Sequence, residues 1–153
     1  MRVGPENGHN RWHPDLLPVA RVRPGDTVTL ETRDGLDAQL GPDSTHEDCA
    51  RLSLGAGHPL TGPIHVEGAE PGDLLAVEIL GYETADWGTS AVIPGFGFLA
   101  DLFPDPFLVR WSVEDGKARS PELPGVAVPP VVHAGVMGVA PSRELMARQR
   151  ARE

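Results

Sequence analysis

The sequence predicts a mainly β (α+β) fold, in which twisted antiparallel strands form a barrel or sandwich-like core and a short helix closes the C-terminus. Three observations predict it. Glycine (18) and proline (16) make up about a fifth of the 153 residues, which suits short strands joined by tight turns; in a helix interior proline costs about 3 kcal/mol and glycine about 1 kcal/mol. Short apolar runs, several with period-two alternation, recur along the chain between clusters of turn formers. Finally, Pro-Gly-Asp precedes a β-prone run twice, at residues 24–26 before Thr27–Glu31 and at 71–73 before Leu74–Leu80.

Taken in order, residues 9–15 read HNRWHPD, extended or turn structure because Pro14 restricts the backbone ahead of it. His9, Asn10, Trp12 and His13 form a dense polar and aromatic cluster that either lines a site or plugs one end of a barrel. Packing and backbone hydrogen bonding are the equal alternative for each. From Val19 to Arg33 two strands flank the first Pro-Gly-Asp turn, with Val28, Leu30 and Thr32 sharing a face. Asp34 falls at a strand end, where a rigid sheet can hold it for a site, or where it is simply a turn aspartate beside Gly35. Residues 37–57 are polar and weakly periodic and predict a solvated loop or a short helix. Their His46, Glu47 and Asp48 are not read as metal ligands, because three adjacent side chains on an exposed loop seldom converge. Cys49 reads as an inert surface or half-buried thiol.

His58 leads directly into the central unit of the chain: a strand over Ile64–Glu67, a turn over Gly68–Asp73 and a second strand over Leu74–Leu80. In that turn Pro71 presets φ, Gly72 can take the positive φ that follows, and Asp73 can bond back to the backbone. Residues 81–97 read as a glycine-spaced loop whose Trp87 and Phe96, with Phe98 just beyond, suit a lid or an apolar wall. Phe107–Val113 is a strand, Glu114-Asp115-Gly116 a strong hairpin signal and Lys117–Ser120 the return. Residues 121–130 form a proline-rich connection. Val131–Val139 predicts an apolar strand carrying His133, a position usually held by a hydrogen-bonded core histidine. Ser142 caps a final helix with Glu144 at its positive end. With no glycine or proline stop before Glu153, the chain reads as cut from a longer protein.

The length allows a single domain spanning 1–153, and 40% apolar residues suffice for a core. Acidic residues outnumber basic ones 22 to 13, and the net charge of −9 argues against nucleic acid or an anionic membrane as partner. A small neutral or cationic substrate fits better. No apolar run approaches the roughly 18 residues of a membrane span, and Met1–Gly4 lacks a signal-peptide core, so the expected location is cytoplasmic. One cysteine excludes an internal disulfide.

Six motifs in order, HNRWHPD (9–15), PGD followed by ETRD (24–34), H-x-LTGP (58–63), GAEPGDLL (68–75), the Trp87-Gly88 loop with Gly97-Phe98-Leu99, and GVMGVAPS (135–142), resemble the acetamidase/formamidase family of amide hydrolases. The resemblance covers essentially the whole chain. It implies cleavage of short aliphatic amides to carboxylate and ammonia, a divalent metal with zinc foremost, and homo-oligomerisation. Ala134 replaces the proline that usually follows this histidine in the family. The family's later Asp-x-His and Gly-Asp-Gly-Glu-rich segments have no counterpart here. The chain therefore resembles the N-terminal half of such an enzyme, completed by a second chain or by a missing C-terminal half.

Amide hydrolysis requires a nucleophile, an oxyanion donor and an acid for the departing amine. Neither a G-x-S-x-G nor a Ser-x-x-Lys motif occurs, so metal-activated water is the economical nucleophile. On the resemblance, Asp34 and His58 are the expected metal ligands or their support and His133 the catalytic base or orienter. Trp12, His13 and Trp87 are the expected substrate-binding residues. A non-catalytic β-barrel module that binds or regulates a partner is the competing expectation. Hydrolysis of another small C–N bond, in a urea-like or guanidine-like compound, is the third.

Overall fold

A computed structural model describes Met1–Ala151; the expected end of the last helix at Glu153 lies outside the described residues. Among the described residues ten short strands outnumber the two α-helices, one of them the expected short C-terminal helix, and the sheets do not close. The chain forms two compact units. One comprises Met1–Asp37, Ala56–Ile79 and the stretch from Ala134; the other comprises Ala38–Gly55 and Leu80–His133.

The first unit is built from three strand pairs. Strand β1 (Arg2–Val3) lies parallel to β4 (Thr29–Leu30), and their pairing buries Val3. Strand β2 (Gly8–His9) is antiparallel to β5 (Leu60–Thr61), with Gly8 opposite Thr61. Strand β3 (Ala20–Val22) runs parallel to β6 (Ile64–Val66), flanked by bonds from Val19 N–H to Pro63 O (2.9 Å) and from Glu67 N–H to Val22 O (2.8 Å). The Thr61 hydroxyl donates to Glu31 O at 2.9 Å and so ties β5 to the end of β4.

The two Pro-Gly-Asp turns are copies of one device. Asp26 N–H donates to Arg23 O at 3.0 Å while the Asp26 carboxylate accepts from Arg23 N–H at 2.8 Å. Asp73 and Glu70 repeat both bonds at 3.0 and 2.9 Å. Gly25 and Gly72 supply the positive φ, +91° and +106°. This is the anticipated turn chemistry, but it does not make hairpins. The flanking strands pair elsewhere, β3 with β6 and β4 with β1, and Leu74–Leu80 forms no strand. The reason lies in the turn: an unprimed turn with positive φ only at its third residue splays its flanking strands, whereas the primed turns of hairpins match strand twist.

The second unit holds a four-stranded antiparallel sheet in the order β10 (Ala127–Val128), β9 (Lys117–Arg119), β8 (Phe107–Glu114), β7 (Trp87–Val92). The β8–β9 hairpin is the expected one, with Glu114 opposite Lys117 and both Asp115 (φ +49°) and Gly116 (φ +67°) at positive φ. Strand β7 occupies what reads as a loop, and β10 lies within the proline-rich connection. Helix α1 (His46–Cys49) is the short helix allowed for in 37–57; Asp48 reaches back to accept from Thr45 N–H at 2.8 Å. Cys49, Leu108, Val109 and Leu40 form the buried core of this unit. Cys49 is completely buried, beyond the half-buried position expected, and burial raises its thiol pKa.

Val131–Val139 does not form the expected strand; its backbone is irregular, with a local bond from Val136 N–H to Ala134 O at 2.9 Å. Helix α2 (Arg143–Arg150) starts where predicted: Ser142 Oγ accepts from Leu145 N–H at 3.1 Å. Among the described residues no helix is long and apolar enough to cross a membrane.

Candidate functional site

Asp34 sits in a turn beyond β4 that its own side chain organises. Its carboxylate accepts from Leu36 N–H, at 3.1 Å to Oδ2, and its carbonyl accepts from Asp37 N–H at 2.8 Å. An Arg33–Asp37 ion pair closes the turn. Within it, Gly35 O accepts from His58 N–H at 2.7 Å. The backbone thus brings Asp34 and His58, 24 positions apart in sequence, into one neighbourhood. His58 is held at φ +55°, a region few non-glycine residues adopt and one often found at functional sites.

Trp12 and His13 occupy another part of the same unit. The Trp12 ring lies on the backbone at Gly138, where a β-carbon would come within 3.0 Å of the indole. A larger residue there would require the indole to give way by a few tenths of an ångström. Trp12, Val139, Pro141, Met146, Gln149 and Arg150 line a cleft of about 370 Å³ along α2. His13 Nδ1 accepts from Asp15 N–H at 3.1 Å, and Asp15 in turn pairs with Arg143 at the start of α2. Trp87 and His133 belong to the second unit, Trp87 opening β7 opposite Ser112 and His133 following β10 in irregular backbone.

Of the adjacent trio in α1, His46 and Asp48 are spent on structure. His46 Nδ1 accepts from Leu108 N–H at 2.9 Å and its ring stacks on Phe107. Asp48 serves Thr45 and Arg51; the Thr45 N–H, then Arg51, hold its carboxyl below the usual range. Among the described residues no three or more His, Cys, Asp or Glu side chains converge on a point where a metal could sit.

Sequence reasoning passed over one polar cluster. The Glu122 carboxylate accepts from Arg110 Nε at 2.9 Å, from Arg110 N–H at 3.3 Å and from the Ser120 hydroxyl. The Ser120 hydroxyl first, and Arg110 next, bring its pKa down to about 2. The cluster fixes the segment after β9 against β8. Its only sequence signal is a Ser-x-Glu step behind a strand, too common to single out.

Residues 1–153 match the model of the Acetamidase/Formamidase family. The chain is 38% identical to an acetamidase of Mycolicibacterium smegmatis, over all of its own length and 41% of that protein. It is 40% identical to a formamidase of Methylophilus methylotrophus, over 90% of this chain and 35% of that one. Among solved structures, a gamma lactamase from Delftia acidovorans superimposes with a TM-score of 0.90 at 35% identity, covering 96% of this chain and 38% of that one. An acetamidase from Bacillus halodurans gives 0.74 at 28% identity, covering 84% and 42%. The chain therefore spans about two fifths of the length of the proteins it is similar to.

Proposed function

We propose that this chain, which belongs to the acetamidase/formamidase family, supplies the N-terminal part of an amide hydrolase that cleaves short aliphatic amides to carboxylate and ammonia. The observation that carries the reading is the end-to-end family match combined with the two-fifths coverage of the relatives. A second polypeptide segment, corresponding to the remaining length, completes the active site. The reading includes a cytoplasmic homo-oligomer, in keeping with a lone free cysteine.

Water adds to the amide carbonyl, the C–N bond breaks, and the nitrogen must gain a proton to leave. His133 is the group assigned to take the proton from water and return it to the amine. Trp12, His13 and Trp87 are assigned to the amide's flank. Asp34 and His58 are the two donors this chain offers a metal. The Asp34 carboxylate retains acceptor capacity beyond its bond to Leu36. Two donors leave the four-ligand shell of zinc incomplete, so the remaining ligands come from the second segment. When bound, a divalent metal supplies Lewis-acid activation of water.

The test is co-expression with a polypeptide equivalent to the unmatched part of the Mycolicibacterium acetamidase, with ammonia release measured from acetamide and formamide. Activity in the pair and none in either part supports the reading. An inert pair with metal supplied defeats it and favours a non-catalytic module. The 0.90 superposition on a gamma lactamase favours a second substrate class, cyclic amides, so a γ-lactam belongs in the same assay.

A further inference from the structure

We propose that Leu74–Ile79 is an interaction edge to which that second polypeptide adds a β-strand; the idea rests on the reading that a separate segment completes the enzyme. The run carries the sequence of a strand but has no strand partner. Leu74, Leu75, Val77 and Ile79 are 95, 45, 55 and 47% exposed. From Leu74 to Ala85 the backbone makes no hydrogen bond to any described residue. Its origin is nevertheless fixed, because the Glu70–Asp73 turn immediately before it is closed by two bonds.

The chemistry of this run selects the occupant. A backbone without partners is satisfied along its length by another extended backbone, through the pairing that adds a strand to an edge. Leu75, Val77 and Ile79 fall on one face of such a strand and Leu74, Ala76 and the charged Glu78 on the other, the pattern of a strand that packs one apolar face against a partner. A small ligand meets neither need. The backbone of this chain follows that of the gamma lactamase over 96% of its length, yet amounts to only 38% of that protein. The run therefore takes its course in a fold whose remaining length lies elsewhere, and that length is the source of the strand.

The experiment is hydrogen exchange on this chain with and without the polypeptide equivalent to the unmatched part of the Mycolicibacterium acetamidase, with binding measured in parallel. The expected result is exchange at Leu75–Ile79 slowed by about 100-fold in the complex. Val77→Pro removes one ladder donor from an exposed position, and is expected to weaken binding by about 10-fold or more. Full binding by Val77→Pro with no protection of the run overturns the edge, while ammonia release from that same complex would leave the proposed function standing. Absence of any complex overturns the edge as well. Protection that rises with the concentration of this chain alone assigns the run to a second copy and overturns the proposal. Protection without ammonia release supports the edge and defeats the functional reading instead.

Discussion

His46 Nδ1 accepts the backbone N–H of Leu108 at 2.9 Å, so a side chain of α1 closes a donor on β8. Leu108 is 1% exposed, which leaves that donor no water to turn to. Removing the acceptor strands a buried polar group, at a cost of about 1–3 kcal/mol.

His46→Ala is accordingly expected to destabilise the protein by about that amount, read as a lower denaturation midpoint by tryptophan fluorescence. His46→Phe keeps a ring against Phe107 and removes only the acceptor. It should retain most of the deficit; wild-type stability in His46→Phe would show that the stacking, not the hydrogen bond, is what matters.

Glu122 predicts an acid limb. Its folded pKa of about 2 lies below the ordinary 4.5, so the carboxylate favours the folded state above 4.5. As pH falls from 4.5 toward 2 the unfolded chain takes up a proton that the folded chain refuses, and the contribution is lost. Urea unfolding at a series of pH values should show Glu122→Gln less stable than wild type near pH 6, with the gap narrowing toward pH 2. A gap constant across that range would rule out this role for Glu122.

The twin turns predict a matched pair of backbone effects. Gly25→Ala and Gly72→Ala place a β-carbon at φ +91° and +106° with no atom within 4 Å to obstruct it. The cost is conformational alone, about 1–2 kcal/mol each. Gly55→Ala, free of positive φ, is the control and should be near neutral in thermal unfolding. Equal Tm values for all three would remove the turn geometry as a constraint.

Asp34→Asn keeps an oxygen for Leu36 N–H, and His58→Asn suits a positive φ, so both variants should fold. In the reconstituted pair each is expected to lower metal content and to reduce ammonia release by about 100-fold or more. Unchanged metal and turnover in both would withdraw them as ligands.

What the sequence made legible follows from how local each cause is. Asp115-Gly116 specifies its hairpin through two adjacent positive φ angles, and Ser142 its helix through one cap; both were readable. The parallel pairing of β3 with β6 joins Ala20 to Ile64 across a gap that no periodicity encodes, and the nearer hairpin looked more economical. Trp87–Val92 contains Gly88 and reads as loop, yet β8 recruits it as a strand. The sequence singles out Asp34 and His58 only as separate candidates, whereas the Gly35–His58 bond that brings their backbones together was not legible. Its donor and acceptor are backbone atoms, which carry no sequence signature.

Complete burial of Cys49 has a practical side. With its sulfur enclosed between α1 and β8, the native chain presents no reactive thiol at its surface. A cysteine introduced at an exposed position such as Val77 would be the first to meet a maleimide probe, without prior removal of the natural one. Spectroscopic labels can therefore be placed along Leu74–Ile79 one residue at a time, and their changing environment read as a partner arrives.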